Sequence, residues 1–258
     1  MGILNITPDS FFDGGKYLTS KQTITQIELM LSQGANIIDV GAFSSKPGSK
    51  LVSYTDEKQR LTPIFKEIAK KFENVIFSLD TFRSEIAKEF VNDYGVGIIN
   101  DISAGELDAN MFKTIAELNV PYIIMHMKGT PENMQNNPVY NKNIELEIIE
   151  YFAEKVAKLN QLGVNDIIID PGFGFGKTLE QNYQLLNKLD SFKILDLPLL
   201  VGISRKSMIT KLLNNNAENA LNGTTILNTI AIQKAANILR VHDVKEAKEV
   251  IDILNFLQ

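Results

Sequence analysis

The stretch IIIDPGFGFGK, residues 167–177, joins three isoleucines to a carboxylate, a proline and a glycine-rich turn. Ile167, Ile168 and Ile169 read as a strand buried on both faces, and Asp170-Pro171-Gly172 ends it. A carboxylate there sits at the carboxyl end of a parallel strand, where α/β proteins bind their ligands. Asp170 can equally serve only to shape the turn, as Asp before Pro-Gly often does. Neither nucleotide motif fits: Pro171 stands where a Walker A loop needs its first glycine, and Lys177 where a dinucleotide fingerprint from Gly172 needs its last. What remains is a flexible turn carrying Phe173 and Phe175 beside Asp170, suited to a flat ring with donors on one edge.

Outward from this stretch, β-branched runs alternate with segments of helical period. The strand candidates are 2–6, 36–40, 75–79, 97–99, 122–125, 167–169, 199–203 and 238–241. Helical spacing fills the intervals, with Pro63 marking a kink or a helix start and Ser84 a candidate cap. About eight alternations in 258 residues, with no Pro/Gly/Ser-rich linker, predict a single-domain (β/α)₈ TIM barrel; a doubly wound sheet is the runner-up. Two turn-rich loops, 7–20 and 41–54, follow the first two strands. We expect them to be mobile when empty and to close over a bound anion, giving ordered substrate binding.

The barrel reading gives the polar residues a common place. Asn5, Asp39, Asp80, Asn100, His126, Asp170, Lys206, Arg240 and His242 all fall at or just past a strand's carboxyl end, so they would converge on one mouth. Asp80, Asn100, Asp170 and Lys206 suit a nitrogen heterocycle: Asp170 accepts two N–H bonds from an amino-pyrimidinone edge, and Lys206 donates to its carbonyl. Arg240 and His242 point to the phosphate corner near the last strands. Asn5 could hold Mg²⁺ through its amide oxygen, with water and phosphate completing the shell. Taken singly, Arg240 could be an ion-pair partner of Asp39 or Asp80, His242 and Asp243 could cap the next helix, and His126 reads as a packed structural histidine. Many polar residues gathered without a ligand would be costly, which favours a site.

Composition limits the alternatives. A net charge of -5 without a basic run argues against nucleic-acid binding. No apolar stretch is long enough to span a bilayer, and residues 1–10 lack the pattern of a signal peptide. With no cysteine there is neither a disulfide nor a thiolate metal site, and the expectation is a cytoplasmic protein.

Eight segments together resemble the dihydropteroate synthase family across essentially the whole chain. They are GILNITPDSFFDGG at 2–15, IIDVG at 37–41 followed by the SxKPG segment from Ser44, SLDT at 78–81, IINDIS at 98–103, IIMHMKGTPENMQ at 123–135, DPGFGFGK at 170–177, GISRKSMI at 202–209 and RVHDVKE at 240–246. The resemblance implies a pterin site of Asp80, Asn100, Asp170 and Lys206 lined by Ile102 and Met125, with Asp39 added to the substrate-contacting set. It implies diphosphate and Mg²⁺ at Asn5, Arg240 and His242, with Lys46 offering a further cation. Ser45, Pro47, Phe175 and Ser207 would border p-aminobenzoate. Lys206, Arg240, His242 and Asn5 would then be the catalytic set, and the assembly a homodimer through the last helices.

The second loop reads GAFSSKPG where the family usually has GGESTRPG, so Phe43, Ser45 and Lys46 depart from the pattern and leave sulfonamide sensitivity open. The chain also starts at the first strand without the family's usual short leading segment. A methyltransferase-type pterin barrel and a non-catalytic pterin-binding homologue are the other function classes; the SRKS and RVHD segments argue against the first.

Overall fold

The computed structural model describes residues 1–6, 20–43, 52–134 and 138–257. Strands β1 (Gly2–Asn5), β2 (Ile37–Gly41), β3 (Ile76–Asp80), β4 (Ile98–Asp101), β5 (Tyr122–Met125) and β6 (Ile167–Asp170) form one parallel sheet in sequence order. Two short strands, β7 (Leu200–Val201) and β8 (Ile238–Leu239), pair with each other. Parallel bridges Ile169↔Leu199 and Gly2↔Val241 join this pair to β6 and β1, so the eight strands close into a barrel. Helices α1 (Ser20–Ser32), α2 (Tyr54–Lys71), α3 (Ser84–Tyr94), α4 (Met111–Leu118), α5 (Ile144–Gln161), α6 (Leu179–Asn187), α7 (Ser207–Leu212), α8 (Leu221–Gln233) and α9 (Val244–Phe256) alternate with them.

Strand alternation sorts the inner face into two layers. A lower cluster gathers Ile98, Ile123 and Leu200 with Ile37, Ile168 and Ile238 packed against them. Successive side chains along a strand point to opposite faces, so the residue two places on lies above each on the same inner face. Those residues are Asn100, Met125, Gly202, Asp39, Asp170 and Arg240. An apolar floor thus carries a ceiling in which four of these six residues are polar, and on those four strands the change occurs within one step of two residues. The outer faces join the helices in the main core, where Leu4, Ile38, Ile99, Ile124 and Ile169 meet Phe65, Phe90 and Phe152.

Several elements differ from their sequence expectation. Helix α2 begins at Tyr54, capped by Ser53, and runs through Pro63, so the proline neither starts nor ends it. Ser84 is the first residue of α3 rather than its cap; its backbone N–H is satisfied by Asp108 Oδ2 at 2.7 Å, a carboxylate from after the next strand. Strand β8 stops at Leu239, short of the expected 241, and α7 was not foreseen. Asp101, on the outer face of β4, is fully buried and accepts from Ser103 N (2.8 Å), Ser103 Oγ (2.7 Å), Gly105 N (2.7 Å) and Tyr122 Oη (2.6 Å). It braces the turn after β4. No helix among the described residues is long and apolar enough to cross a membrane.

Candidate active site

Four strands meet in one charged network at the mouth. Arg240, just past β8, donates from Nε to Asp39 Oδ2 (2.6 Å) and from Nη2 to Asp80 Oδ2 (2.9 Å), while Asn100 Nδ2 also reaches Asp39 Oδ2 (3.1 Å). Arg240 therefore pairs with both carboxylates that a purely structural role would give it, using two of its five donors. Asp39 and Asp80 are buried, and each keeps one oxygen, Oδ1, without a hydrogen-bond partner. Two carboxylates share one guanidinium, so their charge is not fully offset. Burial pushes Asp80 up to about 8, against the pull of Arg240 and with the help of Asp39. Burial also opposes the charge on Arg240, but Asp39 and Asp80 outweigh it and hold the group above its usual range.

The β6 turn is built on fixed contacts. Gly172, Gly174 and Gly176 all have positive φ, and a Cβ on Gly172 would lie 2.0 Å from the carbonyl oxygen of His126. Only glycine can pack there. Asp170 Oδ1 accepts from Gly172 N at 2.8 Å, and burial raises its pKa against the pull of Lys206, Arg240 and Lys177. The turn-shaping reading of Asp170 therefore holds, and its burial at the carboxyl end of β6 leaves it at the mouth. Phe175 joins Ile102, Met125, Met127, Phe43 and Phe82 in an apolar cluster at the mouth. Phe173, by contrast, is wholly buried in the main core, so the expectation of two aromatic faces beside Asp170 is half right. The expected flexibility is also at odds with the packing of this turn.

Lys206 lies across the turn. Its ammonium donates to Phe173 O and stands 4.6 Å from the centre of the Phe175 ring. Burial lowers its pKa to about 8, although Asp170 pulls it back up. Lys206 is the N-cap of α7, and the exposed Ser207 begins that helix. The neighbouring Arg205, which sequence reasoning passed over, has a left-handed backbone (φ 56°) and grips Asp243 through Nε–Oδ2 (2.9 Å) and Nη2–Oδ1 (2.6 Å). Asp243 occupies the N-cap position of α9 without a side-chain cap bond, being committed to Arg205. Ser204 Oγ accepts from His242 N at 3.2 Å, so the SRKS and RVHD segments are tied together at two points and set Lys206 and the exposed His242 on one rim.

His126 fits its structural reading. It is buried, lies edge-on to Tyr151 (5.0 Å between ring centres), and is held well below its usual pKa by burial and then by Lys177 and Lys128. Phe43, the departure in the second loop, meets Phe82 edge-to-face at 5.5 Å, and so replaces a polar group with packing. The ends of that loop are anchored by two arginines: Arg60 Nη1 donates to Ala42 O at 2.8 Å, and Arg83, paired with buried Glu57, donates to Val52 O. Ser45, Lys46 and Pro47 lie outside the described residues, as does most of the two loops expected to close.

Asn5 ends β1, half-buried, in register with Gly41 at the end of β2. Among the described residues no group of three or more His, Cys, Asp or Glu gathers to hold a metal. A single amide oxygen suits Mg²⁺ that arrives with phosphate oxygens and water, since this ion retains much of its hydration.

The chain was compared with known proteins. The family described as pterin binding enzyme matches residues 1–242. Dihydropteroate synthase of Escherichia coli K12 is 43% identical over 256 residues, covering 98% of this chain and 89% of the relative. The Streptococcus pyogenes serotype M1 enzyme of the same name is 39% identical over 261 residues, covering 100% and 94%. The Yersinia pestis dihydropteroate synthase solved with a sulfonamide drug has a TM-score of 0.93 at 39% identity, covering 99% of this chain and 92% of that one. The Xanthomonas albilineans enzyme in complex with 7,8-dihydropteroate has a TM-score of 0.88 at 30% identity, covering 100% and 92%. With that sequence match running through the strand ends that build the mouth, the chain belongs to the dihydropteroate synthase family of pterin-binding enzymes, transferases of the folate pathway.

Proposed function

We propose that the mouth residues of this chain carry out the family's reaction, in which the amine of p-aminobenzoate displaces diphosphate from a dihydropterin methylene to give dihydropteroate. The observation that carries this division of labour is the paired arrangement of Asp170 and Lys206 across the glycine turn. Asp170 accepts from the amino-pyrimidinone edge and Lys206 donates to the ring carbonyl, with Asn100 and Asp80 completing the recognition and Ile102 and Met125 packing on the ring. Phe175 and Ser207 stand where the second substrate would approach, and Asp39 orients Arg240. An arylamine is neutral and nucleophilic at pH 7, so no strong base is needed. The work falls on Arg240 and His242, which offset charge on the departing diphosphate. Mg²⁺ held at Asn5 would neutralise part of that charge when bound.

The test is to incubate the purified protein with dihydropterin diphosphate, p-aminobenzoate and Mg²⁺. Dihydropteroate and diphosphate should appear in equal amounts. Absence of both from a folded sample would reject this assignment of roles.

We further propose a homodimer through α8 and α9. Ile226, Ile253 and Phe256 on these helices are 50%, 64% and 93% exposed, and large apolar groups left in water together favour a second copy. Light scattering should give about twice the 28.8 kDa of one chain, and a single-chain mass would refute it.

A further inference from the structure

Lys177 ends the quoted stretch, yet nothing in the reaction as described uses it. It is 2% exposed, so its Nζ must find protein partners for the hydrogen bonds it gives up on burial. Those bonds are supplied from two segments. Nζ donates to Gly172 O (2.8 Å) and Phe175 O (3.0 Å), lies 3.1 Å from His126 Nδ1 and approaches His126 O at 3.4 Å. Burial holds the Lys177 pKa well below its usual value, against the pull of Asp170; as an ammonium it has no lone pair, so the contact with Nδ1 then requires a neutral imidazole with its proton on Nε2. The low pKa of His126 agrees with the neutral ring. The turn and the strand-5 end are therefore fastened together by one buried cation, in addition to the close approach of Gly172 to the His126 carbonyl.

Asp170 and Phe175 both depend on this fastening. Asp170 is fixed by Gly172 N, whose own carbonyl is held by Lys177. Phe175 has its carbonyl held by the same ammonium while its ring meets Lys206. The charged groups acting on Asp170 are Lys206 from the loop after β7, Arg240 from the end of β8 and Lys177 from its own turn; its register neighbour on β5, Met125, is uncharged. Lys206 and Arg240 have other duties at the mouth and face the substrate. Lys177 is sealed beneath the turn.

We propose that Lys177 is a positioning residue for pterin binding: its buried Nζ braces the 172–177 turn and, when protonated, adds to the counter-charge that Lys206 and Arg240 place on Asp170. The inference rests on the assignment of pterin to Asp170 made above.

Its test uses Lys177→Met and Lys177→Gln, with 6-hydroxymethyl-dihydropterin, lacking diphosphate, titrated by calorimetry between pH 5 and pH 8. Wild-type affinity should fall on the acid side as Asp170 takes up a proton. Removing an opposite charge close to a carboxylate raises its pKa by roughly one unit, so both variants should show that fall at correspondingly higher pH, with about tenfold weaker binding on the acid limb. The Gln side chain retains an N–H donor for Gly172 or Phe175 and carries the comparison where the Met variant folds poorly. An unmoved acid limb in either folded variant would overturn the proposal, as would unfolding of both, which would make the residue's role structural only. Failure of the wild type to bind the pterin would instead overturn the assignment of Asp170.

Discussion

Asp170→Asn should weaken pterin binding by about 10- to 100-fold, equivalent to roughly 1–3 kcal/mol, while barely changing the melting temperature at neutral pH. The reason lies in the bond from Gly172 N to Asp170 Oδ1 at 2.8 Å. In the variant the amide oxygen must stay on Gly172 to avoid opposing two donors, so its NH₂ turns toward the position of the pterin's own N–H groups. Donor then faces donor in a buried place. Folding is spared because the substitution removes a carboxylate whose pKa burial has raised. The sign follows from that shift. A carboxyl group with a folded pKa above its unfolded value loses stabilisation as pH rises from the unfolded value through the folded one. The variant lacks that loss, so its melting temperature should gain on the wild type as pH increases. Pterin affinity equal to wild type in calorimetry would remove Asp170 from the binding site.

Arg240→Met should be the more damaging change to the fold. It leaves Asp39 and Asp80 buried without the guanidinium that both now share, and breaking a buried ion pair from one side costs about 3–5 kcal/mol. Asp80 already sits at about 8 with Arg240 present, and without it the folded state would hold the proton more tightly. The folded variant then binds more protons than the unfolded chain between the two values, so its stability falls as pH rises through that window. Wild type and variant share that loss up to about pH 8, where wild-type Asp80 ionises, so the gap between their urea midpoints should stay constant from pH 6 to 7 and widen from pH 8 to 10. A pH-independent difference would show that charge in the Asp39–Arg240–Asp80 group is not what the arginine balances.

The sequence was most legible where chemistry changes along a strand. Asp39, Asn100, Asp170 and Arg240 each follow an apolar run at a strand's carboxyl end, and that position brought them to one mouth; the inner face they share with Ile37, Ile98, Ile168 and Ile238, two places before each, came from the fold. Partners contributed from distant segments could not be read this way. Asp108 capping α3 and Arg205 gripping Asp243 are side-chain contacts across 24 and 38 residues, and no local pattern announces them. Lys177 was visible only as the end of a motif; a lysine two residues beyond a buried aromatic gives no sign that it turns inward. The two-residue strands β7 and β8 were overestimated because apolar runs mark burial, not the extent of the hydrogen-bonded ladder.

The closing seam of the barrel sets an order of events during the chain's birth. Ile3 N bonds to Val241 O (2.9 Å) and Val241 N to Met1 O (3.0 Å), so β1 finds its second neighbour only after residue 241 has left the ribosome. Until then six strands can line up in sequence order as an open ribbon with two unsatisfied edges, the form most exposed to pairing with another nascent chain. Arg240 arrives with the final strand. Asp39 and Asp80 must therefore wait through most of synthesis for their cation, and the last residue needed to balance the mouth is also part of the segment that shuts the ring.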